Sequence, residues 1–301
     1  MRYGMMLSGD AGLDSLIEQT RRLADAGFQT GWVSQIFGMD ALTALAVVGR
    51  EVPGIELGTA VIPTYPRHPL MLAAQALTTQ AAIGNRLALG IGLSHQIVIE
   101  NVFGQSFEKP ARHMREYLSI LGPALNGGKV QFKGETMSAD TSFGPIAVPG
   151  SEPCPVLIAA LAPLMLKMAG TLADGTITWM TGPATVADHI VPTMGGAAEK
   201  AGRPAPRVVV GLPVCITNDP EGAKERANSA FAIYGQLPSY RAMLDKEGAV
   251  GPGDVAIVGD EESVTKQLQT VADAGTTDFS AAPFGSREEQ DRTFQFLAAQ
   301  L

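Results

Sequence analysis

Two hydrophobic periods take turns along this chain. Short, nearly continuous apolar runs cover Tyr3–Leu7, Thr30–Ser34, Ile55–Val61, Leu87–Ile91, Pro155–Ala160, Gly175–Trp179, Arg207–Ile216 and Thr277–Ala281. Such runs read as strands buried on both faces. Between them, apolar residues recur at helical spacing over 13–26, 41–50, 70–83, 110–125, 163–173, 184–201, 219–235, 261–274 and 287–300. Gly27 stops the first helix, Asp40 is placed to cap the second, and Gly84-Asn85 closes the third. The strand–helix unit repeats eight times, which favours a closed parallel (β/α)8 barrel over an open doubly wound sheet. The expected organisation is one domain over 1–301 with two insertions. The first, about 92–154, holds a loop to 109, the helix 110–125, a hairpin piece at Lys129–Glu135 and a Pro/Gly/Ser-rich stretch at 136–154. The second is about 237–253.

Composition narrows the function. With 46% hydrophobic residues in 301, a large core is available. The net charge of −8 and the lack of any Lys/Arg cluster argue against nucleic acid. No run of about 18 apolar residues is present, which argues against a membrane span. The start, Met1-Arg-Tyr-Gly-Met-Met-Leu, has no apolar signal region, so a cytoplasmic protein is expected. Cys154 and Cys215 lack ligand spacing, and His68, His95, His113 and His189 stand far apart, so no metal site is expected.

Barrel chemistry sits at the C-terminal ends of strands. That selects Ser8, Gln35, the segment Thr64 to His68, Ser94, His95, Leu161, Ala162 and Trp179. Strands one to six end without a carboxylate, so the paired acids of a glycosidase are missing. Gly92-Leu-Ser-His95 lacks the closing glycine of a nucleophile elbow. A neutral rim of small residues suits a flat cofactor that performs the chemistry itself. His95 is the acid/base candidate, because imidazole changes charge near neutral pH; hydrogen bonding alone is its other role. Gln35 reads as a ring contact or a polar plug, and Trp179 as a substrate wall. His68 and Arg67 read as loop-holding residues. His113, among Arg112, Arg115 and Glu116, reads as surface. Tyr240 and Arg241 read as a solvated insertion helix, with closure over the site as the alternative.

Four segments in order carry a resemblance. They are Gly58-Thr-Ala-Val61 with Arg67-His-Pro69, Asn85-Arg-Leu-Ala-Leu-Gly-Ile-Gly92, Ala159-Ala-Leu-Ala-Pro163 with Ala169-Gly170, and Ala173-Asp-Gly175. Together they resemble the bacterial luciferase-like monooxygenase superfamily, and within it the branch using coenzyme F420, a deazaflavin. The resemblance spans essentially the whole chain. It implies a cis Ala60–Val61 peptide backing the ring, with Ser34, Gln35 and Thr64 near it. It also implies that Gly92, Leu93, Ser94 and His95 touch the coenzyme, and that backbone N–H groups around Ala160, Leu161, Ala162, Leu164 and Met165 cradle its phosphate. A helix N-terminus suits an anion without any lysine. Members of the family are commonly homodimers.

The departures from that branch are specific. Gln35-Ile36 stands where many members have Asp-His, and His95 stands where the sugar-phosphate dehydrogenases have Glu. Trp179 and Gly182 replace the Thr and Lys that hold a sugar phosphate in those enzymes. The expectation is an F420-dependent oxidoreductase moving hydride to or from a small apolar substrate. His95 and Gln35 are its catalytic candidates, and Ser8 and Trp179 line the substrate. The alternatives are an FMN-dependent monooxygenase and a catalytically silent deazaflavin-binding protein.

Overall fold

A computed structural model describes all 301 residues. The strands are β1 (Arg2–Leu7), β2 (Thr30–Val33), β3 (Glu56–Thr59), β4 (Ile62–Pro63), β5 (Leu87–Gly92), β6 (Gln131–Lys133), β7 (Ser138–Asp140), β8 (Val156–Ile158), β9 (Gly175–Trp179), β10 (Arg207–Ile216), β11 (Ile257–Gly259) and β12 (Asp278–Pro283). The barrel closes as β1–β2–β3–β5–β8–β9–β10–β12 and back to β1, all parallel. β4 continues the third barrel strand after Ala60–Val61 and pairs with β5. β11 adds to β10. The helices are α1 (Leu13–Asp25), α2 (Ala41–Glu51), α3 (Pro69–Ala82), α4 (Gln96–Asn101), α5 (Pro110–Leu125), α6 (Pro163–Leu172), α7 (Pro183–Thr185), α8 (Val191–Lys200), α9 (Pro220–Ala230), α10 (Ala232–Gln236), α11 (Pro238–Glu247), α12 (Glu261–Asp273) and α13 (Arg287–Ala298). None is long and apolar enough to cross a membrane.

Side chains alternate in and out along each strand, so the interior is built in layers. At the bottom, Arg2 and Arg207 both bind Asp278 Oδ1 at 2.6 Å, and they reach Glu56 Oε1 at 2.9 and 2.6 Å. Burial alone raises the Asp278 carboxyl, but bonds and charge from Arg207, with Thr277 and Arg2, hold it below the usual range. Above the ions, Trp32, Ala88, Leu157, Ile177 and Val209 form an apolar floor. Trp32 is fully buried, donates to Thr30 Oγ1 at 3.0 Å and has the Arg207 guanidinium against its ring, 5.4 Å from the centroid. A side chain at position 58 would collide with its ring, so Gly58 is what lets the indole lie flat.

The predicted strands and most helices are present, and Asp40 caps α2 by accepting from Thr43 N–H at 2.9 Å. Three segments differ from the expected loops. Residues 92–109 contain α4, residues 136–154 contain β7 paired with β6, and most of 237–250 is α11. The short elements fall below the window in which periodicity is legible. For α11, Pro238 at its first turn and Gly248 in left-handed backbone (φ 75°) after its end were the available signals.

Each insertion hangs on one carboxylate. Glu116 of α5 accepts from the backbone N–H groups of Glu135, Thr136 and Met137 at 3.0, 2.8 and 3.2 Å, which fastens the β6–β7 hairpin. Glu247 of α11 accepts from Ala184 and Thr185 N–H at 3.0 and 2.7 Å. Side chains at Gly134 or Gly182 would overlap these carboxylates.

The floor packing is testable. Gly58→Ala should overpack the Trp32 layer and destabilise by about 1–3 kcal/mol, read as a lower urea midpoint at unchanged m-value. An unchanged midpoint would mean that the indole can move aside.

Candidate active site

The top of the barrel is an open cup. Its strands are buried almost throughout, yet Met6, Ser34, Ala60, Val61, Ala159, Trp179 and Ala282 at their upper ends are only half-buried. The lining is small: Gly90, Gly92, Ala159, Gly211 and Ala282. A Cβ on Gly92 would sit 2.7 Å from Val61 Cγ2 and 3.2 Å from Ala159 Cβ, so nothing larger fits there. The Ala60–Val61 peptide is cis. Ser94 and Met180 both hold left-handed backbone, at φ 61° and 52°. Non-glycine residues seldom do so, and such residues mark sharp turns often found at functional sites. Here they end β5 and β9 beside His95 and Trp179.

One side of the cup is a wall of rings. His95 meets Tyr240 at 6.0 Å between centroids, Tyr240 meets Tyr234 edge-on at 4.9 Å, and Tyr234 meets Trp179 at 6.0 Å. Trp179 continues to Phe231 at 5.8 Å, and Phe231 to Phe284 at 6.0 Å. The wall links the upper ends of β5, β9 and β12. Tyr240 therefore faces the mouth, which corrects the expected solvated helix. Arg241 does not face it, because its guanidinium is used on Asp245 and on the carbonyls of Ala249 and Val250. Burial lowers the His95 pKa, so its imidazole is neutral at pH 7.

A second feature lies beside the wall. The start of α6 has no side-chain cap, and its first backbone bond is from Leu166 N–H to Ala162 O. Ala162 and Leu164 are exposed, so the preceding N–H groups face open space. His189 stands in a π-helical turn over 186–190 and bonds Leu161 O through Nε2 at 2.8 Å. A ring nitrogen facing a carbonyl must donate. Because the peptide is planar, pinning that oxygen aims the Ala162 N–H the opposite way.

The expected site residues separate into two groups. Ser34, Ala60, Val61, Gly92, Leu93, Ser94, His95, Leu161, Ala162, Leu164 and Trp179 are at the cup or its rim. Ala160 and Met165 are buried behind it, so only their backbone could serve. Gln35 accepts from Ala41 N–H at 3.1 Å, so its amide oxygen is spent on the start of α2. Ser8 Oγ donates to Asp10 at 2.8 Å in a local turn, away from substrate duty. Arg67 pairs with Asp40, and His68 caps α3 while reaching Ser138 O at 3.2 Å, so both hold the loop.

Thr64 is fully buried and turned outward, with its hydroxyl on His113 Nε2 at 3.0 Å. This corrects two expectations, since His113 is buried rather than on the surface. Its ring stacks on Tyr65 at 3.9 Å and 1°. Burial pushes its pKa down to about 4, against the pull of Glu116. The stripe His113, Tyr117, Leu121 at spacing i, i+4, i+8 was the signal that could have shown this. Outside this pair lies a polar cleft of about 540 Å³ between the β4–α3 loop and residues 105–109 and 135–137.

Residues 1–278 match the family model described as luciferase-like monooxygenase. The chain belongs to that family. A curated family relative, the 5,10-methylenetetrahydromethanopterin reductase of Methanopyrus kandleri, is 24% identical, with 96% of this chain and 94% of that protein aligned. Among solved structures, an F420-dependent secondary alcohol dehydrogenase in complex with an F420–acetone adduct superposes with a TM-score of 0.82 at 16% identity, over 100% and 98% of the two chains. The oxygenating constituent of 3,6-diketocamphane monooxygenase from Pseudomonas putida, in complex with FMN, gives 0.73 at 15% identity over 99% and 97%. The luciferase-like fold is thereby shown, and the family includes F420-dependent reductases as well as monooxygenases.

Buried His113 has a consequence for stability. The unfolded chain takes up its proton near pH 6.5, and the folded protein refuses it until about pH 4. The unfolded state thus binds more protons in that window, and stability falls as pH drops through it. His113→Gln should flatten the fall between pH 7 and 5 in urea titrations. An equal slope in both proteins would contradict the buried neutral ring.

Proposed function

We propose that the protein is an F420-dependent oxidoreductase acting on a small neutral organic substrate. The observation that carries this reading is the cup itself. It is shallow, lined by Gly and Ala, free of carboxylates, bounded by one neutral histidine, and flanked by an uncapped helix start. A planar ring fits against Ala60, Val61 and Gly92, and an anionic tail fits the free N–H groups before Leu166. When bound, the deazaflavin supplies a hydride acceptor or donor at C5.

The chain's own residues do the rest. His95 stands at the start of α4 without capping it, so its imidazole is available to a substrate oxygen. With an alcohol, neutral His95 takes the hydroxyl proton as hydride leaves the adjacent carbon, and a ketone results. In reverse, the imidazolium returns that proton to the oxygen. The cup walls hold the reacting carbon close. The position of Gly182 argues against sugar phosphates. The Glu247 carboxylate lies against it, so a dianion there would meet a negative charge with no cation to pair.

An FMN-dependent monooxygenase remains the second reading, favoured by the fold shared with the FMN-bound enzyme. Fluorescence titration separates the two: F420 should bind and FMN should not. Tight FMN with negligible F420 binding would remove the first reading.

His95→Ala should lower turnover about 10²–10⁴-fold with little change in F420 affinity. A drop in affinity at unchanged turnover would make His95 a binding contact only. His189→Ala should weaken F420 severalfold yet leave the tail-less deazaflavin unaffected, because the aim of the N–H groups matters only to the anionic tail. Equal effects on both ligands would place the tail elsewhere.

A further inference from the structure

The second insertion has no place in a minimal barrel, and it is held down firmly. Glu247 fixes the end of α11 to the start of α7, and Thr185 Oγ1 reaches Met243 O at 3.3 Å. Arg241 fastens the following turn to the carbonyls of Ala249 and Val250. Tyr240 is thus carried by a braced platform, and Tyr234 of α10 packs edge-on against it at 4.9 Å.

What they bring is polar as well as apolar. The Trp179 indole N–H is buried, makes no well-formed hydrogen bond, and faces the Tyr234 hydroxyl. Indole nitrogen can only donate. A buried donor left without a partner costs about 1–3 kcal/mol, so each such group calls for an explanation. Tyr234 sets its hydroxyl beside that N–H, with the two rings edge to face. A phenol oxygen that accepts from indole turns its own hydrogen outward. Burial raises the hydroxyl pKa of both Tyr234 and Tyr240, so both are neutral donors at physiological pH. The Glu247 carboxylate is taken up by the backbone N–H groups of Ala184 and Thr185.

We infer that the Tyr234 hydroxyl, oriented by the Trp179 indole N–H, recognises the oxygen of a neutral carbonyl or alcohol substrate, with Tyr240 covering its ring. This rests on the reading of the cup given above. The complement of such a wall is a flat apolar ring bearing one acceptor oxygen. Aromatic faces bind the ring, and the Trp179–Tyr234 pair selects for the oxygen. Tyr240 closes the side toward His95, which keeps the substrate oxygen within that histidine's reach. Phe284 and Phe231 back the wall from behind and set its depth. An anionic substrate finds no counter-charge here, and a plain hydrocarbon leaves the Tyr234 hydroxyl unpaired.

The test compares two ligands of one shape by calorimetric titration of the F420-loaded protein. They are 2-cyclohexen-1-one and 3-methylenecyclohexene, in which a CH2 group replaces the oxygen. The ketone should bind at least tenfold tighter, about 1.4 kcal/mol. Trp179→Phe and Tyr234→Phe should each bring that ratio toward one while leaving the hydrocarbon affinity within about twofold, as expected for loss of a single hydrogen bond. Tyr240→Ala should weaken both ligands together. A ratio near one in the unaltered protein, or a full ratio in both Phe variants, overturns the inference. So does tighter binding of glucose-6-phosphate than of the ketone. F420 affinity is measured alongside. If the coenzyme fails to bind, the proposed function falls, while the ketone preference of the apoprotein still decides the oxygen site.

Discussion

The site depends on one contact low in the barrel, the Trp32 indole lying flat across Gly58. A barrel of eight strands has just enough interior for side chains to fill. Here a single large ring fills the middle layer, with Arg207 against it and Ala88, Leu157, Ile177 and Val209 around it. Because that layer is closed by one residue, the layer above is freed from a packing role. Gly90, Gly92, Ala159, Gly211 and Ala282 can remain small without leaving a void that reaches the core. The depth of the cup is therefore set from below, by the height of the indole plane.

Polarity follows the same order. The ions at the bottom are consumed on one another, with Asp278 held between two guanidinium groups. The middle is apolar. The top carries hydroxyl, indole and imidazole groups but no free charge. This separation matters for chemistry, since a charge near a shallow apolar cup would bind water and ions ahead of a neutral substrate. Excess charge in the insertions is removed by the same device twice. Glu116 and Glu247 each cap backbone N–H groups, each beside a glycine that leaves room for the carboxylate. Carboxylates bound in this way serve as clamps, and at Glu116 the bonds from Thr136 and Met137 outweigh burial and hold the pKa below its usual range.

Much of this was legible in the sequence. Strand ends, the Asp40 cap and the roles of Arg67 and His68 followed from period and turn chemistry, which depend on neighbours in the chain. The misreadings share one cause. His113, Thr64, Gln35 and Tyr240 were each judged by nearby residues, but their roles are set by partners far away. His113 sits among charged neighbours and yet is stacked on Tyr65, far away in the sequence. Thr64 follows the expected ring contact and yet turns out toward α5. Gln35 stands at a strand end and yet caps the next helix. Tyr240 lies on a helix of mixed polarity, and only the placement of α11 by Glu247 directs it to His95. Helical spacing exposed the buried stripe of α5, whereas no local pattern encodes which face a braced insertion turns inward.

His95 and His113 show how context divides identical side chains. Burial depresses both pKa values, so both rings are neutral at pH 7. His113 has spent Nε2 on Thr64 and its face on Tyr65, and a ring so engaged is a fixed part of the scaffold. His95 meets the Tyr240 ring and stands at the start of α4 without capping it. Reactivity in this barrel is thus distributed by subtraction. Wherever the fold has used a polar group, as with Ser8, Gln35, Thr64, Arg67 and Glu247, that group is lost to chemistry. What is left unspent at the cup is His95, the Trp179 N–H with the Tyr234 hydroxyl, and the N–H groups opening α6. These lie in three separate places, as a site requires if it must hold an anionic tail, recognise an oxygen and move a proton without any one task interfering with the next.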